Sequence, residues 1–153
     1  MHSPNPDYQT VVAKIFQQAA FVRELGLELV GCGPGWCESR LVVQPRHMQQ
    51  DDVVHAGVQT TIADHTAGAA AGTIIPPDAY VLSVEFKMNL LRPGVGEILF
   101  CRADVLKPGR QFSVVESEVF AIAGNSRKLI SKFIGTMVTM PRTSSSKNDL
   151  MTG

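Results

Sequence analysis

The sequence predicts an α+β fold in which a long antiparallel sheet curves around one buried helix. Three observations carry this expectation. Residues Gly57 to Thr73 form a helix-length run crowded with Ala63, Ala67, Gly68, Ala69, Ala70, Ala71 and Gly72. From Leu82 to Met140, segment after segment has the period of a strand and ends at a Pro-Gly or Gly-Asn turn. A helix without a polar face needs cover on most sides, which a strongly curved sheet provides.

Taken in order, Asn5-Pro6 is a helix start, with Asn at the cap and Pro at the first position. Val11, Val12, Ile15, Phe16 and Ala19 follow at helical spacing, predicting one amphipathic helix to about Arg23. Leu25, Leu27 and Leu29 alternate, Gly31 to Gly35 turns the chain, and Trp36 to Val43 is a second short strand. Gln44 to Val54 is polar, contains Pro45 and reads as a loop. The small-residue helix comes next and stops at Ile74-Ile75-Pro76-Pro77. Leu82 to Leu90, Glu97 to Lys107, Gln111 to Ala123 and Arg127 to Met140 are then expected as a hairpin-linked meander. Residues 1–140 are expected as one domain and 141–153, rich in Ser and Thr, as a disordered tail.

Composition narrows the function. With 153 residues and 44% apolar content the chain can bury a core. Lys plus Arg equals Asp plus Glu at 14 each, so no overall charge draws it to nucleic acid. No apolar run is long enough to span a bilayer, and Met1 to Asp7 lacks the pattern of a signal peptide. Three cysteines, without a CxxC or a histidine-rich partner set, point to neither a disulfide framework nor a metal site. A reduced, cytoplasmic protein is the expectation.

Asp64 is the chemical anomaly, a carboxylate between Ile62, Ala63, Ala67 and Gly68. It is either a structural acid paired to Arg or backbone donors, or a functional group. His55-Ala56-Gly57 opens the same helix, where free N–H groups and the helix dipole suit an anion or a developing oxyanion. Seven residues separate Gly57 from Asp64, roughly 10 Å at about 1.5 Å per residue, so the two cannot serve one carbonyl carbon. A two-fold partner that brings its own helix N-terminus to Asp64 would solve this. A homo-oligomer is therefore expected, a dimer at minimum and a tetramer by further pairing.

The run His55-Ala56-Gly57, then Asp64, Gly68 and Ala69, resembles the signature of PaaI-like thioesterases. Leu82-Ser83-Val84-Glu85-Phe86 and Leu91-Arg92-Pro93-Gly94 resemble that family's next strand and turn, and the likeness runs from about Gln49 to Met140. The resemblance implies the hotdog fold and hydrolysis of an acyl-CoA, coenzyme A being part of the substrate and no cofactor or metal being needed. By position it makes Asp64 the nucleophile or general base, and the Ala56 or Gly57 N–H of the facing subunit the oxyanion donor. His55 would polarise the carbonyl or orient its loop, while Gln49 and Ser83 would position water or substrate. Ala56 stands where Gly is common and Gln49 where Asn is common. Ser83 alternates with the expected core positions Leu82 and Val84.

Lys107, Arg110, Arg127 and Lys128 lie near turns and are candidate contacts for coenzyme A phosphates. His65 is expected to point away from Asp64, because adjacent helical residues diverge by about 100°. His47, Asp51 and Asp52 are expected as solvated loop residues. Two other readings stay open. One is an acyl-CoA-binding module without turnover; the other is a hotdog-fold enoyl-CoA hydratase, although the Asp-x-x-x-x-His segment of that family is not visible here.

Overall fold

The computed structural model describes residues 1–142. The N-terminal segment is two helices rather than the single one expected: α1 spans Tyr8–Gln18 and α2 spans Ala20–Leu25. Asn5 does not cap α1 directly. Its Oδ1 accepts from the Asp7 N–H at 2.9 Å, a local turn that delays the helix to Tyr8. The break falls at Ala19, whose backbone is extended, and it re-aims the chain so that Val22 is buried as Val12 and Phe16 are.

Leu25 closes α2, and strand β1 runs Leu27–Gly33 into β2, Trp36–Val42. The turn between them is only Pro34-Gly35, with Gly35 at φ 88°, a conformation that favours glycine. The 44–54 segment is more structured than a plain loop. It holds a short 3-10 turn at Pro45–His47 and a bridge between Met48 and Val54. Helix α3 spans Ala56–Gly72, followed by β3 (Ala79–Leu90), β4 (Ile98–Lys107), β5 (Phe112–Ala123) and β6 (Ser126–Pro141).

The six strands form one antiparallel sheet in the order β1-β2-β4-β5-β6-β3. The expected meander therefore holds for β4-β5-β6 but not for β3, which leaves β4 and pairs with β6 at the sheet edge. Pro93-Gly94 is not a hairpin turn. Residues 91–97 cross the end of the sheet instead: Leu91 and Arg92 donate to the Ile130 carbonyl, and Glu97 donates to the Ile122 carbonyl. Gly96 allows this close pass, since a Cβ there would sit 2.7 Å from the Ile122 oxygen. Pro141 and Arg142, expected in the tail, are held: the Arg142 N–H bonds the Asp78 carbonyl at 2.7 Å. The rest of the expected tail, 143–153, lies outside the described residues.

Helix α3 packs on the inner face of the sheet through Ile62, Ala63, Ala67 and Ala70, all essentially solvent-free. Its backbone and hydroxyls are tied to the strands: Ser117 Oγ donates to the Ala63 carbonyl, and the Ser39 and Thr66 hydroxyls meet at 2.6 Å. Burial covers most sides of the helix, as expected, but leaves one side open. Gly57, Thr61, Asp64 and Gly68 recur at spacings of four, three and four and remain exposed or half-buried, a single open stripe along the helix.

Candidate active site

Strand β3 supplies the first partner of Asp64. Leu82 pairs with Val138, Ser83 with Met137 and Glu85 with Thr136, so Val84 is the extra residue of a β-bulge. The bulge reverses the alternation. Ser83 lies on the helix-facing side with buried Met137, and beyond the bulge so does Phe86, which stacks on buried Phe133 at 5.1 Å. The sequence expectation that Leu82 and Val84 face the core, with Ser83 opposite, is thus corrected; Leu82 and Val84 are 47% and 55% exposed. Because of the bulge, Ser83 Oγ donates to Asp64 Oδ1 at 2.6 Å.

Asp64 and Ser83 line a pocket of about 410 Å³ between α1, α3 and β3. Val11, Ile15, Ala69 and Val81 give it apolar walls. No Arg or Lys pairs with Asp64 among the described residues, so the structural ion-pair reading has no support in the geometry. A half-buried carboxylate held by one hydroxyl keeps lone pairs for water or for an electrophile. His65 lines the same pocket, against expectation. The pocket wraps from the β3 side of α3 to the α1 side, so an angle of about 100° between neighbours does not exclude the second residue. Its ring lies edge-on to Phe16 at 4.7 Å, and burial holds its pKa below the ordinary histidine value, only partly opposed by Asp64.

The other candidate residues gather at the N-terminus of α3. His55 is the N-cap: its Nδ1 accepts from the Gly57 N–H at 2.8 Å, and its carbonyl accepts from Val58. The Gly57 donor is therefore occupied by the cap, and the Ala56 N–H is left in the first turn without an acceptor among the described residues. Ala56 and Gln49 line a separate groove of about 460 Å³ with Gln59, Leu90 and Arg92. The bridge between Met48 and Val54 fixes Gln49 beside the helix start. Gln59, which the sequence reading passed over, is buried; its Nε2 donates to the Val54 carbonyl while Oε1 has no partner among the described residues.

The basic candidates do not converge. Lys107 ends β4 and Arg110 lies in the turn before β5, whereas Arg127 begins β6 after β5 has run the length of the sheet. A strand of that length spans roughly 35 Å, too far for one phosphate cluster within a protomer. The Arg127 guanidinium lies 4.0 Å over the Phe120 ring and 4.7 Å over Phe100. Lys128 and Arg92 instead line one groove that shares Arg92 and Pro93 with the α3 N-terminal groove. Only proximity in the fold reveals that pair.

His47 is a second correction. It is fully buried rather than solvated: its Nδ1 accepts from the Gln44 N–H at 3.0 Å and its Nε2 bonds the Leu25 carbonyl at 2.9 Å. It staples the loop before α3 to the end of α2 and is no part of either pocket. Asp51 and Asp52 are exposed, as expected. Among the described residues no group of three or more His, Cys, Asp or Glu side chains is placed to hold a metal, and no helix is long and apolar enough to cross a membrane.

Residues 51–126 match the Thioesterase superfamily. A putative esterase from Haemophilus influenzae is 30% identical over 99 residues, covering 64% of this chain and 71% of that protein. A 1,4-dihydroxy-2-naphthoyl-CoA hydrolase from Listeria monocytogenes is 26% identical over 95 residues, 62% of this chain and 77% of its own length. Among solved structures, a thioesterase family protein from Silicibacter pomeroyi superposes with a TM-score of 0.86 at 30% identity, over 88% of this chain and 98% of that one. The Escherichia coli PaaI protein superposes at 0.79 with 18% identity, over 88% and 94%, a likeness of fold.

Proposed function

The chain belongs to the Thioesterase superfamily of thioester hydrolases and has the PaaI-like hotdog fold, and we propose that it hydrolyses acyl-CoA at two symmetric sites shared between subunits. The observation that carries this reading is the open stripe of α3. Asp64 and the helix start lie on one uncovered face but about eight residues, or roughly 12 Å, apart. Antiparallel apposition of two such stripes about a two-fold axis sets the Asp64 carboxylate of one subunit against the Ala56 N–H of the other. Strand β3 supports the same arrangement. It is a twelve-residue edge strand with Leu82, Val84, Phe86 and Leu90 each 45–55% exposed, an edge that invites pairing with a second copy.

In this site Asp64, oriented by Ser83, either attacks the thioester carbon or takes a proton from the attacking water. The tetrahedral oxyanion is met by the Ala56 N–H at the positive end of the facing helix, with His55 fixing the turn and Gln49 beside it. Thiolate departure then releases coenzyme A. With water as the nucleophile this gives the free acid directly; with Asp64 it gives an acyl anhydride, which water hydrolyses to the acid and the regenerated carboxylate. The phosphates of coenzyme A fit the groove of Arg92 and Lys128, with Arg127 on the same end of the sheet. Lys107 and Arg110, at the far end, would contact the nucleotide only by way of another subunit.

The test is thiol release from a panel of short, medium, long and aryl acyl-CoAs, with wild type beside Asp64→Ala. Turnover should fall by about a thousandfold or more in the variant while the melting temperature holds. A variant that keeps its rate would end the mechanism, and an active monomer in light scattering would end the shared site. A folded wild type that binds acyl-CoA without releasing thiol would instead identify a binding module.

A further inference from the structure

The cysteines take no part in the candidate active site. Cys32, Cys37 and Cys101 lie on β1, β2 and β4, at the opposite side of the sheet from β3 and Ser83. Cys37 is buried and shares the helix-facing side of β2 with Ser39 and Leu41. In the register of the β1-β2 hairpin Cys32 stands directly opposite Cys37, so the two side chains project from the same face.

The backbone hydrogen bonds fix the kind of pair. The Val105 N–H donates to the Gly35 carbonyl at 2.8 Å, so Gly35 turns its backbone toward β4. Two residues on, Cys37 does the same toward Ala103 of β4, which leaves Cys32 and Cys37 a non-hydrogen-bonded pair. Such pairs hold their Cα atoms about 4.5 Å apart, inside the roughly 4.4–6.8 Å that a disulfide spans. Cys101 stands opposite Ser39 and is only a diagonal neighbour of Cys37, at about 7 to 8 Å, beyond that reach.

Exposure divides the roles. Cys32 is half-buried, whereas Cys37 and Cys101 are sealed from solvent. A dissolved reagent therefore meets Cys32, and Cys37 meets only what Cys32 carries. The hairpin tip between them is already held, since the Gly35 N–H donates to Thr73 Oγ1 at 2.7 Å at the end of α3. Closure of the pair thus needs little backbone movement. Burial pushes both thiols above the ordinary cysteine range, so attack is slow at neutral pH and quickens as pH rises.

We propose that Cys32 and Cys37 form a reversible dithiol–disulfide site whose oxidant is a low-molecular-weight disulfide. The Cys32 thiolate attacks one sulfur of the reagent, giving a mixed disulfide and one small thiolate. The Cys37 thiolate then attacks the Cys32 sulfur, closing the protein disulfide and expelling the second small thiolate. Two protein thiols lose two electrons and two protons, and the reagent takes up both as it becomes two small thiols. The site does not depend on the thioester reaction.

The test incubates the folded chain with oxidised glutathione at pH 8.5, followed by acid quenching, denaturation, alkylation and mass spectrometry. Wild type should lose two hydrogens, keep Cys101 open to alkylation and yield a peptide linked between residues 32 and 37. Dithiothreitol should restore all the thiols. Cys37→Ser should stop at a glutathione adduct on Cys32, Cys32→Ser should stay reduced, and Cys101→Ser should close the same bond. Closure in wild type should be about tenfold slower at pH 7.5, as the thiolate fraction falls. Wild type that stays reduced, or that keeps an unresolved adduct on Cys32, would overturn the assignment. So would a bond to Cys101, or a bond that forms only in urea. These wild-type outcomes decide the matter even where a serine variant fails to fold.

Discussion

Around Asp64, helix α3 is flanked by α1 and by strand β3, and the carboxylate sits in a pocket whose walls are largely apolar. Around Ala56 the same helix opens onto a groove lined by Gln49, Asp51, Gln59 and Arg92, continuous with a second groove bearing Lys128. One region sets an acid beside apolar walls; the other offers an N–H without a partner among the described residues, together with positive charge. Hydrolysis of a charged thioester needs both, yet one helix holds them about a dozen ångströms apart. The difference is what the proposed shared site rests on: on that reading each protomer would carry two unlike half-sites, which two-fold symmetry would join.

The sharpest way to break this comparison is to remove the donor without touching the acid. Ala56 is the first helical residue and His55 before it is extended, at φ −57° and ψ 139°, so proline is compatible with the position. Ala56→Pro should keep the melting temperature and lose about a hundredfold or more in kcat. A rate within twofold of wild type would remove Ala56 from the oxyanion hole. Isolated heterodimers that combine an Ala56→Pro protomer with an Asp64→Ala protomer hold one intact site, and should recover roughly half the wild-type rate. Heterodimers as inactive as either parent would show that acid and donor act within one chain.

A smaller effect is expected at Ser83, which touches the acid rather than the substrate carbonyl. Ser83→Ala removes the 2.6 Å bond to Asp64 and should lower kcat by about tenfold with little change in KM. A change confined to KM would assign Ser83 to substrate binding instead.

The smallest concerns pH. Burial holds His47 and His65 below the ordinary histidine pKa of 6.5. As pH falls through that value the unfolded chain takes up protons that the folded chain resists, so stability present above about pH 6.5 declines below it. The melting temperature should drop by a few degrees between pH 7.5 and 5, and by less in His65→Gln. Identical pH curves for wild type and the variant would mean that His65 carries no part of the effect.

Much of the fold was legible in residue order, because the signals are local. Small residues marked α3, alternation marked the strands, and the Gly31–Gly35 stretch marked a hairpin that the structure narrows to Pro34-Gly35, each within a few residues of chain. The Asp64 and His55-Ala56-Gly57 motifs were legible for the same reason, and helix rise alone separated them. What stayed hidden depends on contacts between distant segments. Val84 looks like any strand residue, and only pairing with β6 makes it a bulge that turns Ser83 toward Asp64. The place of β3 beyond β6 follows from the 91–97 crossing, which reads in sequence as an ordinary Pro-Gly turn.

His47 shows the same limit, polar in sequence yet fully buried because Leu25 and Gln44 satisfy both of its nitrogens. Likewise the charges of Lys107, Arg110 and Arg127 were visible, but not that the sheet would hold them at opposite ends. Sequence by itself determined most of the elements, the family and the chemical types of the candidate residues, since those rest on backbone preference and residue chemistry. Which side chains meet was decided only by tertiary structure, since strand register and crossing are set by packing between segments far apart in the chain.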